Sequence, residues 1–217
     1  MVQRQQRQQR PERKARLTAQ DWADAALTAI TEGGVAAVAV EPLAARLGAT
    51  KGSFYWHFAN RDALIEAALD RWAELHTEGT ISEVEAEPDP KERIRLLFTE
   101  AIRSATTDPL EVALLVTSTH PQVAAALRRV TERRVAYLRQ LFTDLGFPEP
   151  EAHRRGLLAY TAYLGHAQLG HVTPSVLPPE ESAEFRAYLG EALEVLLTRH
   201  ANTPDPGPGP DLARRET

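Results

Sequence analysis

The stretch at residues 47–64, "LGATKGSFYWHFANRDAL", decides how this chain is read. Five rings stand side by side in it: Phe54, Tyr55, Trp56, His57 and Phe58. A core strand wants alternation with period two, and a core helix wants a stripe with period 3.6. A solid block of rings satisfies neither. On a helical wheel Phe54 and Phe58 are four apart and share one face, which must be the buried one. At about 100° per residue, Trp56 falls nearly opposite that face. Gly52 and Ser53 flank it on the outside, with Tyr55 and His57 at the two borders. Burying Phe54 and Phe58 therefore exposes Trp56.

The flanking sequence is helical on both sides. Thr18 reads as an N-cap with Asp21 three residues on, and Leu17 can staple onto Trp22 across it. Trp22, Ala26, Ala29 and Ile30 form one apolar stripe, stopped by Gly33 and Gly34. A short second helix carries Leu43, Ala44 and Leu47 and ends at Gly48. Thr50 caps a third helix, and Asn60 a fourth bearing Leu64, Ala68, Leu69 and Trp72. Helix, tight glycine-bearing turn, short helix is a helix-turn-helix. An exposed Trp on its second helix is placed to meet a DNA groove.

The chemistry of direct contact fits that placement. The Tyr55 hydroxyl and a His57 ring nitrogen can donate to phosphate oxygens, which fixes register without reading sequence. Gly52 permits close approach of the helix N-terminus, where free N–H groups favour an anion. Lys51 and Ser53 occupy the first turn, the part of a recognition helix that reaches base edges. Trp56 offers apolar contact to a thymine methyl, and Arg61 can reach a phosphate from the flank. Two bland alternatives remain: a satisfied internal His57 and a half-buried, packing Tyr55.

These residues also carry a family likeness. "PLAARLGATKGSFYWHFANRDAL" resembles the DNA-binding signature of TetR-family transcriptional regulators. The likeness rests on Leu43-Ala44, Leu47-Gly48, the cap Thr50, Gly52, the run from Tyr55 to Phe58, and a base near 61 before Leu64. It extends over roughly residues 16–76. The resemblance implies that Ser53, Tyr55, Trp56 and His57 are DNA-contacting positions and Phe54 and Phe58 core ones; with Thr50, Lys51, Gly52 and Arg61 they make up the expected DNA-binding set. Two positions depart from the family pattern. Ala39 stands where Ser or Thr caps the second helix, forgoing roughly 1 kcal/mol, and Arg61 stands where Lys is usual.

Charge is unevenly distributed, and its distribution matters more than the net of -5. Residues 1–16 hold Arg4, Arg7, Arg10, Arg13, Lys14 and Arg16 against Glu12 alone, a local balance of +5. Residues 78–90 hold five acids and no base, and read as an acidic, Pro-bearing connector. The head attracts polyanions as a disordered basic arm at 1–15. The Pro/Gly-rich segment 201–217 reads as a disordered tail.

Beyond residue 76 the pattern stays helical. Ile94, Leu97, Phe98, Ala101 and Ile102 mark an amphipathic helix. The run "LEVALLVTS" at 110–118 is apolar on nearly every side, which predicts burial inside a bundle. Thr119 with Gln122 reads as a capping box opening a long helix through Val123, Leu127, Val130, Tyr137, Leu138 and Leu141, closed near Gly146. Arg134 interrupts that helix's apolar stripe and, if buried, needs a carboxylate or ligand partner. An effector pocket is expected around Phe98, Leu110, Leu114, Arg134 and Tyr137, suited to a mostly apolar small molecule. Two last helices, about 149–172 and 179–200, suggest a four-helix bundle across a C2 dimer. Its expected interface is Ala159, Tyr163, His166 and Gly170 with Leu189, Leu193 and Leu196.

Several classes fall away. With no cysteine, disulfides, thiolate metal sites and thiol nucleophiles are excluded. His166 and His171 are five apart, His120, His153 and His200 lie near helix ends or on polar faces, and no carboxylate pairs recur beside them. Hence no metal, cofactor or catalytic residue is expected, and the protein is expected not to be an enzyme. No run reaches the roughly 18 apolar residues of a membrane span, and the basic N-terminus leads into no apolar signal region, so a cytoplasmic location is expected.

The reading is therefore all-α. A helix-turn-helix DNA-binding domain over 16–76 (the motif itself about 39–58) precedes a larger helical effector-binding and dimerisation domain over 77–200. Such a protein is a ligand-responsive regulator, a repressor first of all. It would bind a palindromic double-stranded DNA operator as a homodimer and be released by a small-molecule effector. A helix-turn-helix architectural protein without effector, and a helical binding protein or enzyme with a vestigial helix-turn-helix, are the alternatives.

Overall fold

Thr18 opens the first helix in the computed structural model, which describes residues 17–180 and 182–199. The expected arm (1–15), the expected tail (201–217) and His200 lie outside the described residues. The Thr18 hydroxyl accepts from the Asp21 N–H while the Asp21 carboxylate accepts from the Thr18 N–H, a complete capping box. The Thr18 backbone donor, followed by its hydroxyl, holds the Asp21 carboxyl below its ordinary pKa. Helix α1 (Ala19–Gly33) follows, then α2 (Val40–Leu47), α3 (Lys51–Tyr55) and α4 (Arg61–Ala73). No strand occurs among the described residues.

Local chemistry sets these boundaries. Gly48 ends α2 in the left-handed region at φ 61°, a conformation that costs a side-chain-bearing residue energy. The Ala49 N–H then closes onto the Ala44 carbonyl at 2.8 Å. Thr50 accepts from the Ser53 N–H and Asn60 from the Ala63 N–H, opening α3 and α4. Ala39 precedes α2 with no side-chain cap. Trp22, Phe54 and Phe58 stack into one aromatic group: Trp22 meets the Phe54 ring edge-on at 5.4 Å, and Phe54 and Phe58 stack at 5.7 Å. Each fully buried ring of this kind contributes about 1.5–3 kcal/mol.

The acidic stretch expected to be a connector is helical instead. Helix α4 runs into a π-helical turn, Glu74–Gly79, and then α5 (Thr80–Glu85). Ile81 and Val84, three apart, bury one face of α5, and that face overrides the acidic composition. Only residues 86–89 separate it from α6 (Pro90–Thr107). Helix α7 (Leu110–Val116) buries Leu110 and Leu114 but leaves Leu115 and Val116 exposed. A helix of seven residues cannot bury every side, so its apolar run is only half interior. Helix α8 (Pro121–Asp144) starts after His120, without a side-chain cap. The expected box on Thr119 is absent, and the Gln122 amide donates to the Asp62 carbonyl at 2.9 Å.

Helix α9 (Glu149–Val172) lies along α8 and α6. A methyl added at Gly156 would sit 3.0 Å from the Arg139 backbone nitrogen, and one at Gly170 would sit 3.0 Å from Thr106 Cγ2. Gly156 and Gly170 of α9 therefore serve close packing within the chain. One hydrophobic cluster joins Trp22, Ile30, Leu43, Phe54, Leu64 and Trp72 to Leu110, Leu114, Val123, Ala126 and Val130. The core thus crosses residue 76 without a break.

Contacts divide the chain into a unit over residues 1–177 and a second over 178–217. The described part of the second holds α10 (Ala183–Leu197), capped by Ser182, whose hydroxyl accepts from the Phe185 N–H at 3.0 Å. Its stripe is Phe185, Leu189, Leu193 and Leu196. No helix of the described residues is long and apolar enough to cross a membrane.

Candidate nucleic-acid interface

The turn after α2 and the cap Thr50 present α3 as a short projecting element. Its helical hydrogen bonding ends at Tyr55, and the His57 and Phe58 N–H groups both close onto the Phe54 carbonyl, at 2.9 and 3.0 Å. This closing turn swings Phe54 and Phe58 into the core and leaves Trp56 80% exposed and Tyr55 56% exposed. Trp56 is the most exposed large apolar side chain of the described residues. Tyr55 leans edge-on against Phe54 at 5.1 Å, so its ring is braced while its hydroxyl stays outside. Lys51 and Gly52 are exposed, and Ser53 and His57 are half-buried. A methyl added at Gly52 would meet only the Thr50 hydroxyl at 3.7 Å, ordinary contact. Nothing inside the protein requires glycine there, so its use lies on the outer side.

Two members of the expected set are engaged by the protein itself. Arg61 donates from Nε to the Val38 carbonyl and from one terminal nitrogen to the Val35 carbonyl, both at 2.6 Å. It ties down the loop between α1 and α2, a tertiary role beside the expected flanking phosphate contact. Lys51 donates to Glu41 at 2.7 Å. Each partner shifts the other: Lys51 lowers the Glu41 pKa, and Glu41 raises that of Lys51.

The expected effector residues are spread over α6, α7 and α8. Leu110 and Leu114 belong to the cluster shared with the helix-turn-helix. Phe98 and Tyr137 are buried on α6 and α8. The Arg134 side chain is only 12% exposed and is fully partnered within the protein. It donates to both Glu111 oxygens at 2.8 Å, to the Thr77 hydroxyl at 2.9 Å and to the His76 carbonyl at 3.1 Å. The Tyr163 hydroxyl donates to Glu111 Oε2 at 2.7 Å. Burial opposes the Arg134 charge, but Glu111 outweighs it and the pKa is raised. Arg134 therefore needs no ligand anion. Sequence reasoning missed Glu111, although it is the one acid in an apolar run, as Arg134 is a base in an apolar stripe. The Tyr137 hydroxyl, by contrast, is buried without a hydrogen-bond partner.

The α9 residues expected at a dimer interface face inward. Ala159 and His166 are buried, Tyr163 reaches Glu111, and Gly170 abuts Thr106. On α10, Leu189, Leu193 and Leu196 form the buried stripe. The exposed apolar face of α9 is the other one: Leu158, Ala162, Gly165, Leu169 and Val172, spaced by three and four. Both faces of α9 are apolar, and sequence alone could not say which packs inside. Among the described residues no group of three or more His, Cys, Asp or Glu could hold a metal ion.

Known proteins resemble the chain in its first helices by sequence and more widely by fold. Residues 23–68 match the family model of bacterial regulatory proteins, tetR family. The HTH-type transcriptional regulator TtgR of Pseudomonas putida is 35% identical over 86 residues, 39% of this chain and 41% of TtgR. The match thus spans about two fifths of that relative's length. Among solved structures, a transcriptional regulator from Rhodococcus sp. Rha1 superposes with TM-score 0.64 at 23% identity, covering 83% of this chain and 94% of that one. The regulator FadR from Bacillus subtilis, in complex with stearoyl-CoA, gives TM-score 0.60 at 14% identity over 83% of this chain and 98% of its own.

Proposed function

We propose that the chain, whose residues 23–68 match the family model of bacterial regulatory proteins, tetR family, is a ligand-responsive repressor binding a palindromic operator as a homodimer. The observation that carries the reading is the exposed Trp56 between Tyr55 and His57, on the projecting end of a braced helix-turn-helix. In this role Trp56 makes apolar contact in the major groove, Ser53 and Gly52 lie against base edges and backbone, and Tyr55 and His57 donate to phosphates. Thr50 positions α3 through its cap. No step of this role needs a catalytic group, cofactor or membrane, and it belongs in the cytoplasm, where the DNA is.

The dimer is proposed to form through the exposed α9 stripe, since Leu158, Leu169 and Val172 offer apolar area and Ala162 and Gly165 allow close approach. The effector is proposed to lie between α6, α8 and α9, beside Phe98 and Tyr137. Surrounding side chains such as Ile94 and Ile102 make it mostly apolar, with one polar group for the Tyr137 hydroxyl. FadR of Bacillus subtilis holds stearoyl-CoA, which makes acyl thioesters the first candidates to test. Effector binding would favour a separation of the recognition helices that no longer fits successive major grooves.

Duplexes selected from a random library by the protein provide the test. Trp56→Ala should lower affinity at least tenfold, about 1.4 kcal/mol, with unchanged helicity and melting. Normal affinity in a folded Trp56→Ala protein would remove α3 from the interface. Sedimentation of Leu158→Glu checks the dimer, which should dissociate.

A further inference from the structure

One arginine bridges the two ends of the helix-turn-helix. The loop between α1 and α2 leads into the motif, and α4 follows from it. Val35 and Val38 on that loop are buried, Val38 completely, and buried carbonyls must find partners. The Val35 carbonyl accepts from the Val38 N–H at 3.2 Å. Arg61, the first residue of α4, then takes both carbonyls in one fork, Nε on Val38 and a terminal nitrogen on Val35, each at 2.6 Å.

The two ends that Arg61 joins are anchored differently. Ala39 enters α2 in extended conformation with no side-chain cap, and Pro42 in the first turn has no N–H to offer. The outlet into α2 therefore has no polar side-chain anchor of its own. At the far end Phe58 is buried, the Asn60 side chain accepts from the Ala63 N–H at 2.9 Å, and Gln122 of α8 holds the Asp62 carbonyl at 2.9 Å. Arg61 thus ties the weaker end of the motif to the stronger one. Its chemistry suits the task. A guanidinium is planar, always charged and able to span two acceptors in fixed geometry, and its bonds are stronger than neutral ones. A Lys ammonium is a point charge on a flexible stem and cannot hold that fork.

We infer that Arg61 is a positioning residue for sequence reading: by fixing the outlet into α2 it sets how α3 meets the groove, and it acts on DNA through the loop and not through a phosphate. The inference rests on the DNA-binding reading above. Contacts to base edges weaken steeply when donors and acceptors are misaligned, whereas attraction to phosphates is independent of sequence. A displaced α3 therefore loses preference before it loses affinity for DNA at large.

Arg61→Lys and Arg61→Gln test this against the unaltered protein, on a duplex selected from a random library and on a scrambled one, below the melting temperature of each variant. Both variants should lose preference for the selected duplex by about fivefold or more, with the salt slope unchanged on either duplex. A phosphate contact would instead survive in Arg61→Lys and be lost in Arg61→Gln, lowering the slope by about 0.9 on both duplexes. A residue serving stability alone would lower melting and leave the preference intact. Either of those results would overturn the inference.

The unaltered protein supplies a second measurement that needs no variant. In an isotope-labelled sample the Arg61 Nε–H should exchange with water about tenfold or more slowly than that of the exposed Arg128. It should keep that protection when the selected duplex is added. Protection absent from the free protein, or lost on adding the duplex because Arg61 has moved to the DNA, would overturn the inference as well. Failure of the unaltered protein to prefer any selected duplex, with the Nε–H still protected, would instead strike the DNA-binding reading and the inference with it, leaving only the fork.

Discussion

Glu111→Gln isolates the buried knot that joins the end of α4 to α7, α8 and α9. The carboxylate is one isosteric step from the amide, so shape is preserved and only charge and one acceptor are lost. Arg134 keeps the Thr77 hydroxyl and the His76 carbonyl, with the Trp72 and Tyr163 rings 5.6 and 5.7 Å from its guanidinium. Its charge then has no counterion, in a site where the pair's side chains are only 12% and 9% exposed. Breaking one partner of a buried pair costs about 3–5 kcal/mol, and the surviving neutral acceptors place this case near the lower end. For a chain of this length, that is a fall in Tm of roughly 6–12 °C. Urea titration followed by helicity gives the free energy directly. The double variant Arg134→Met with Glu111→Leu removes both charges and should recover most of the loss, because an apolar pair pays no desolvation. A Glu111→Gln protein within about 1 kcal/mol of the original, or a double variant as unstable as the single, would refute the reasoning.

Three further outcomes follow from the same geometry. Gly52→Ala should keep the fold, since its methyl meets only Thr50 at 3.7 Å, and should weaken DNA binding measurably in a fluorescence titration; unchanged affinity would put Gly52 away from the DNA. Arg61→Ala should cost about 2–3 kcal/mol through its two charge-assisted bonds to backbone carbonyls, and its salt slope on DNA should not change, as a lost phosphate contact would require. Burial first, then Glu111, raises the Tyr163 pKa, and burial also raises those of Tyr160 and Tyr137. Stability from these groups is complete below the unfolded tyrosine value of about 10 and is lost as pH rises through the raised folded values. Urea midpoints should therefore be flat to about pH 9 and fall above it, and Tyr163→Phe should make the fall shallower.

What the sequence made legible was local. Thr18, Gly48, Thr50 and Asn60 act on backbone groups within three or four residues, so caps and helix ends can be read in order along the chain. The Phe54 and Phe58 spacing fixed the inner face of α3 for the same reason. Long-range choices were not legible. Arg61 bonds carbonyls 23 and 26 residues away, and Arg134 meets Glu111 across 23. For α9, apolar patterning permitted both faces, and only the close approaches at Gly156 and Gly170 select the inner one. The stretch 78–90 misleads because its acids point outward while Ile81 and Val84 do the packing.

The uninterrupted core across residue 76 bears on how this chain can be recombined with others. Leu110, Leu114, Val123, Ala126 and Val130 complete the same cluster as Trp22 and Phe54, and Gln122 is fastened to the Asp62 carbonyl. A chimera that grafts the first four helices onto a foreign domain would leave five buried members of that cluster behind. The transplantable module is discontinuous: α1 to α4 together with α7 and the first half of α8. On the proposed DNA-binding role, an exchange of specificity has to cut around those two segments or be confined to the surface residues of α3.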